Sequence, residues 1–97
     1  MLRDTERALA DFEQAARLEP RLYEAYVGLD RALSQRRDWA AIVAHWERYL
    51  ELVPDDPRAY FERAGTYHHW GKKPEEQADL ERACALGVER ACQILGR

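Results

Sequence analysis

Cysteine is scarce in this chain: Cys84 and Cys92 are the only two among 97 residues. Two are too few for a disulfide framework and too few to close a zinc site by themselves. A basic excess is lacking as well. Lysine and arginine number 15 against 18 aspartates and glutamates, for a formal net charge of −3. No basic field exists to hold a phosphate backbone, so nucleic acid is not an expected partner. No apolar run approaches the length of a membrane span, and the opening Met1-Leu2-Arg3-Asp4-Thr5-Glu6-Arg7 is charged where a signal peptide is apolar. The expectation is a cytoplasmic protein that meets no membrane. A secreted or periplasmic location would apply to an excerpt of a longer protein with Cys84 and Cys92 oxidised.

Catalytic patterns are missing too. There is no glycine-rich phosphate loop, and no serine, cysteine or lysine is set against a histidine and an orienting acid. His45 stands alone. His68 and His69 are adjacent, and adjacent side chains leave a regular helix ~100° apart, so the two imidazoles cannot share one ion. No enzyme activity, catalytic residue, metal ligand or cofactor is expected.

What is present is helix-forming sequence. A hydrophobic fraction of 46% with 34% charged residues, rich in Ala, Leu, Glu and Arg, marks a folded helical chain rather than a disordered one. At 97 residues it makes one small domain. Apolar periodicity and breakers predict helices over about 4–19, 21–35, 39–53, 57–70, 74–86 and 88–95. Asp4, Asp38 and Asp56 are the expected N-caps, Pro57 suits the first helical position, and Gly71 and Gly87 are the expected stops.

The stretch 23–54 recurs when the chain is shifted by 34 residues. Leu18, Leu52 and Leu86 fall in register, as do Phe12, Trp46 and Leu80, then Ala15, Tyr49 and Ala83, and Glu13, Glu47 and Glu81. Ala25 and Tyr26 return as Ala59 and Tyr60, and Pro20 returns as Pro54. A helical hairpin at this period resembles the tetratricopeptide repeat. Tyr26, Leu29, Asp30 and Leu33 match its first helix, and Ile42, Trp46 and Pro54 its second. Ala8, Phe12, Ala15 and Pro20 match the half unit before. Asp30 departs from the pattern, standing where the family places a small residue. From Leu80 through Gly96 the chain resembles instead the Sel-like repeat, a related hairpin with a shorter turn.

The resemblance implies an all-α right-handed superhelix of about six antiparallel helices. It divides into a half repeat over 1–20, a full repeat over 21–54, a repeat with Sel-like features over 55–87 and a partial or capping helix over 88–97. Its first helices are expected to line a concave groove that binds protein or peptide. Helical register assigns to that groove Glu24, Val27, Gly28, Arg31 and Gln35, and on the next unit Arg58, Phe61, Glu62, Gly65 and His69. Val27 and Phe61 read as apolar residues the core does not need. Gly28 and Gly65 read as relief of crowding between neighbouring first helices.

The basic–asparagine clamp for carboxylates is not apparent, since Val27 and Gly65 stand where polar side chains would. The alternative function is a spacer or terminal cap within a longer solenoid, with no ligand of its own. Repeats that begin and end part-way predict possible homo-oligomers through the open ends. Cys84 and Cys92 lie near helix ends on either side of the Gly87 turn. Sel-like relatives carry a cysteine pair at this spacing, which implies a disulfide; two reduced, half-buried thiols are the other reading.

Overall fold

A computed structural model describes residues 2–97. All regular structure among them is helical: α1 (Leu2–Leu18), α2 (Tyr23–Ser34), α3 (Trp39–Leu52), α4 (Pro57–Trp70), α5 (Lys73–Ala85) and α6 (Glu89–Ile94). Contacts gather into two compact units that divide between Val53 and Pro54. The first holds α1 to α3 and the second α4 to α6.

The helix ends follow the expected chemistry with two exceptions. The Asp38 carboxylate accepts from the Ala41 amide at 3.3 Å to cap α3, and Asp56 accepts from the Arg58 amide at 3.0 Å to cap α4. Gly71 closes α4 at φ 79°, a left-handed position that a Cβ disfavours. At the turn after α2 the same kind of conformation falls to Arg37, at φ 54°. The exceptions are the first two starts. α1 begins at Leu2, so Asp4 is no cap but a first-turn acid facing the positive end of the helix dipole. α2 begins at Tyr23 rather than 21, behind an extended Leu22 that has no polar side chain to offer a cap.

In the first unit, α2 packs against both α1 and α3. The interior is aromatic where α2 meets α3. Tyr26 lies 5.0 Å from Tyr49 and 6.1 Å from Trp46 by ring centroid, and Trp46 meets Tyr49 edge-on at 5.8 Å. These three rings, with Leu29 and Ile42, are almost wholly buried, and fixed edge and tilted contacts add to the stabilisation their area gives. Asp30 is the apparent misfit, at 5% exposure. Its carboxylate accepts from the Trp46 indole Nε1 at 2.8 Å and from the Ser34 hydroxyl at 3.3 Å. The position that breaks the repeat pattern is filled here by a polar cross-link from α2 to α3. A buried acid is tolerated because it has partners.

The second unit packs α4 on α5 and α5 on α6. Its apolar centre is Ala64, Leu80, Ala83 and Ala91, flanked by half-buried Tyr60, Phe61, Cys84, Val88 and Leu95. It too has a buried acid. Asp79 on α5 is 1% exposed and takes a two-pronged bond from Arg63 on α4, at 2.7 and 2.8 Å, plus one from Arg82 at 3.0 Å.

Each unit also repeats one tether. The Tyr26 hydroxyl donates to the Pro20 carbonyl at 2.9 Å, and the Tyr60 hydroxyl to the Pro54 carbonyl at 2.8 Å. The landmark tyrosine therefore orients its helix against the proline turn that precedes it. That gives the recurrence of tyrosine and proline a physical reason.

His45 makes the first unit sensitive to acid. Burial lowers its affinity for a proton, the Arg48 guanidinium lowers it further, and Glu13 opposes them, leaving the pKa below the ordinary 6.5. The unfolded chain then binds more protons than the folded one as pH falls through 6.5, so folding stability declines in that direction. Urea midpoints at pH 7.5 and pH 5.5 should fall less for His45→Gln than for the wild type. An identical fall in both would assign the acid sensitivity to other groups.

Candidate functional site

The face expected to bind a ligand carries an open cleft of about 510 Å³ in the first unit, lined by residues of α1 and α2 with Gln35 just beyond α2. Its apolar part comes from Ala8, Phe12, Gly28 and Ala32, and its polar part from Asp4, Thr5, Arg31 and Gln35. The local sequence explains the shape. Thr5, Ala8 and Phe12 follow one another at spacings of three and four along α1, and Gly28 and Ala32 on α2 with Gln35 at its C-cap follow at four and three, so each helix turns one stripe to the other. Small residues at 28 and 32 keep the α2 wall low.

Two polar anchors set the rim. The Thr5 hydroxyl donates to the Gln35 side-chain oxygen, which leaves the amide nitrogen as the donor end of Gln35. Arg31 is 61% exposed at its side chain and rests one guanidinium nitrogen on Asp30 at 3.3 Å. It leans on the same carboxylate that holds Trp46, so its position is coupled to the α2–α3 core.

Of the α2 residues expected in the groove, Gly28, Arg31 and Gln35 line this cleft, while exposed Glu24 and half-buried Val27 do not. Gly28 has a cause other than the one expected. A Cβ built there would overlap the Phe12 ring of α1, so the crowding it relieves is with α1. The contributions of Asp4, Thr5 and Phe12 were missed. Their spacing is visible in the sequence, but the repeat pattern marks α1 only through Ala8, Phe12 and Ala15 as matches to a half unit.

The α4 residues are placed differently from expectation at two positions. Phe61 packs against the Ala64–Leu80–Ala83–Ala91 cluster, so the core does use it. Arg58 turns back on its own cap: its Nε and a terminal nitrogen bond the two Asp56 oxygens at 3.0 and 2.9 Å. Glu62 is half-buried, and its carbonyl accepts from the Thr66 hydroxyl at 3.4 Å. Gly65 is exposed, and nothing lies within 4 Å of a Cβ placed on it. His69 is exposed beside His68, ring centroids 5.6 Å apart and planes at 72°, while His68 Nδ1 lies 3.1 Å from a Glu76 oxygen. Among the described residues no group of three or more His, Cys, Asp or Glu is placed to hold a metal ion, and no helix is long and apolar enough to cross a membrane.

Helical hairpins at a 34-residue period, each with its tyrosine tied to the preceding proline carbonyl, make an all-helical repeat fold that resembles the tetratricopeptide repeat. Comparison with known proteins agrees. The chain is similar to Hsp70-Hsp90 organizing protein 2 of Arabidopsis thaliana, 28% identical over 85 residues and 88% of this chain. It is also similar to the Hsp70-Hsp90 organizing protein of Triticum aestivum, 26% identical over 85 residues. The chain spans only 15% of the length of either relative.

Among solved structures, MamA 41-end from Desulfovibrio magneticus RS-1 superposes with a TM-score of 0.74 at 23% identity, covering 98% of this chain and 55% of that one. The MamA RS-1 ArsTM double mutant gives 0.75 at 22% identity, covering 96% of this chain and 53% of that one. Likeness at these identities shows the fold. No family model matches the chain.

Proposed function

We propose that the chain is a protein–protein interaction scaffold, not a catalyst, and that the α1–α2 cleft receives a peptide segment. One observation carries the reading: Arg31 and Gln35, chosen from helical register alone, open into a single cleft that also has an apolar floor. An apolar surface with a few fixed polar groups suits a segment bearing a small apolar anchor. Thr5, Gln35 and Arg31 then address the polar groups beside that anchor. The relatives' names describe proteins that organise two others, which supports a scaffold role here. On α4, exposed Arg58, Gly65 and His69 with Glu62 form a second face, whose guanidinium is already engaged by Asp56.

Selection from a displayed random-sequence peptide library, followed by fluorescence anisotropy on a selected peptide, tests the reading. Ala32→Trp, which fills the cleft, and Arg31→Glu should each weaken binding by about tenfold or more, equivalent to ~1.4 kcal/mol per factor of ten. Glu51→Ala, exposed on α3 and away from the cleft, should leave it unchanged. Equal binding by all variants would place the site elsewhere, and a library that yields no binder would favour a spacer.

A further inference from the structure

The bridge between Cys84 and Cys92 is present, with α-carbons 4.8 Å apart across the Gly87 turn. It fastens a helix that has little else to hold it. α6 is six residues long, far below the length at which a helix persists without tertiary support. Its N-cap residue, Val88, gives no side-chain bond, and Ala91 is its one buried residue. Val88 and Leu95 add half-buried apolar contact at its two ends. The Arg97–Glu81 pair at 3.4 Å is about half exposed on both sides and contributes little. Both cysteines are half-buried, at the edge of the apolar cluster and not within it.

We propose that the Cys84–Cys92 bridge is a reversible latch that holds α6 over the apolar centre of the second unit. A thiolate of a small dithiol attacks one sulfur, forming a mixed disulfide and expelling the other cysteine as a thiolate. The second thiol of the reagent then resolves the mixed disulfide. The products are two cysteine thiols and the oxidised, cyclic disulfide of the reagent, with two electrons passed from the dithiol to the bridge. Once cut, α6 is held by its small apolar contacts, the exposed Arg97–Glu81 pair and the Val88 amide bond to the Ala83 carbonyl. Removing a bridge of sequence separation 8 restores loop entropy worth on the order of 50-fold in the opening equilibrium. Opening uncovers the α4–α5 surface around Ala64, Leu80 and Ala83, against which Phe61 also packs. The three helices of the first unit have no covalent tie of this kind and are unaffected.

Hydrogen exchange followed by mass spectrometry, on the full chain with and without dithiothreitol, reads this directly. Reduction should speed exchange of amides in 88–97 by about 50-fold while α2 and α3 keep their protection, and reoxidation should restore the slow rate. The Cys84→Ala/Cys92→Ala variant, which keeps small apolar side chains at both positions, should exchange like the reduced wild type in either condition. Unchanged exchange in 88–97 after complete reduction would overturn the latch. So would loss of protection throughout the chain, which would make the bridge a staple of the whole fold, or failure of reoxidation to restore protection.

Discussion

Replacing Arg63 with methionine should remove about 3–5 kcal/mol of folding free energy, because it strips the main partner from a carboxylate that stays buried. Asp79 is 1% exposed at its side chain and Arg63 is 13% exposed, so water cannot replace the lost guanidinium. The same substitution also removes the guanidinium lying 5.7 and 5.9 Å from the Tyr60 and Tyr67 ring centroids. A loss of this size is a large fraction of what a small domain possesses. Arg82 is 54% exposed, and Arg82→Met should cost about 1 kcal/mol or less. Arg63→Met/Asp79→Leu should recover much of the loss, since it removes the stranded charge along with its partner. Urea denaturation of all four proteins followed by far-ultraviolet circular dichroism checks the set. Near-equal midpoints for Arg63→Met and Arg82→Met would contradict the burial argument.

Alanine at the two helical glycines should act in opposite directions. Gly28→Ala gains helix propensity worth ~1 kcal/mol, but its methyl group meets the Phe12 ring. Overpacking of that kind costs about 1–3 kcal/mol, because the half-buried ring must shift to make room. Net destabilisation is expected, and Phe12→Leu should relieve it in the double variant. Gly65→Ala meets no atom within 4 Å and should stabilise by about 0.5–1 kcal/mol. Thermal midpoints of the three variants and the wild type decide it. A stabilised Gly28→Ala would show that α1 and α2 do not approach as closely as the Phe12–Gly28 contact requires.

The architecture was legible because it rests on local periods. Apolar residues at spacings of three and four set the helices, Pro57 and Gly71 bounded one of them, and the return of Tyr26 as Tyr60 and of Pro20 as Pro54 gave the repeat. The cross-links within each unit were not legible. Asp30–Trp46 and Arg63–Asp79 each join residues 16 apart, and no helical period marks such a pair. Asp30 looked like a departure until the indole N–H supplied its reason.

The site was legible where one helix decided it and obscure where two did. Arg31 and Gln35 follow from the register of α2, but the cleft also needs Ala8 and Phe12 for its floor and Thr5 for its rim, all from α1. Phe61 was misplaced because its own helix has an apolar face without it; only the cluster built with α5 and α6 shows the core using it. Arg58 was read as a groove cation, yet the aspartate two residues earlier both caps α4 and binds its guanidinium. The cysteine spacing alone allows either a bridge or two thiols, and only the pairing of the α5 and α6 ends, with α-carbons 4.8 Å apart, brings the two sulfurs together.

The scaffold reading is tested most directly by two-dimensional 1H–15N correlation spectra of the labelled chain titrated with a peptide taken from the library selection. The account predicts that the largest shift changes fall at Thr5, Ala8, Gly28, Arg31, Ala32 and Gln35, with α5 and α6 nearly still. Largest changes on α5 or α6, with the cleft residues unmoved, would contradict it.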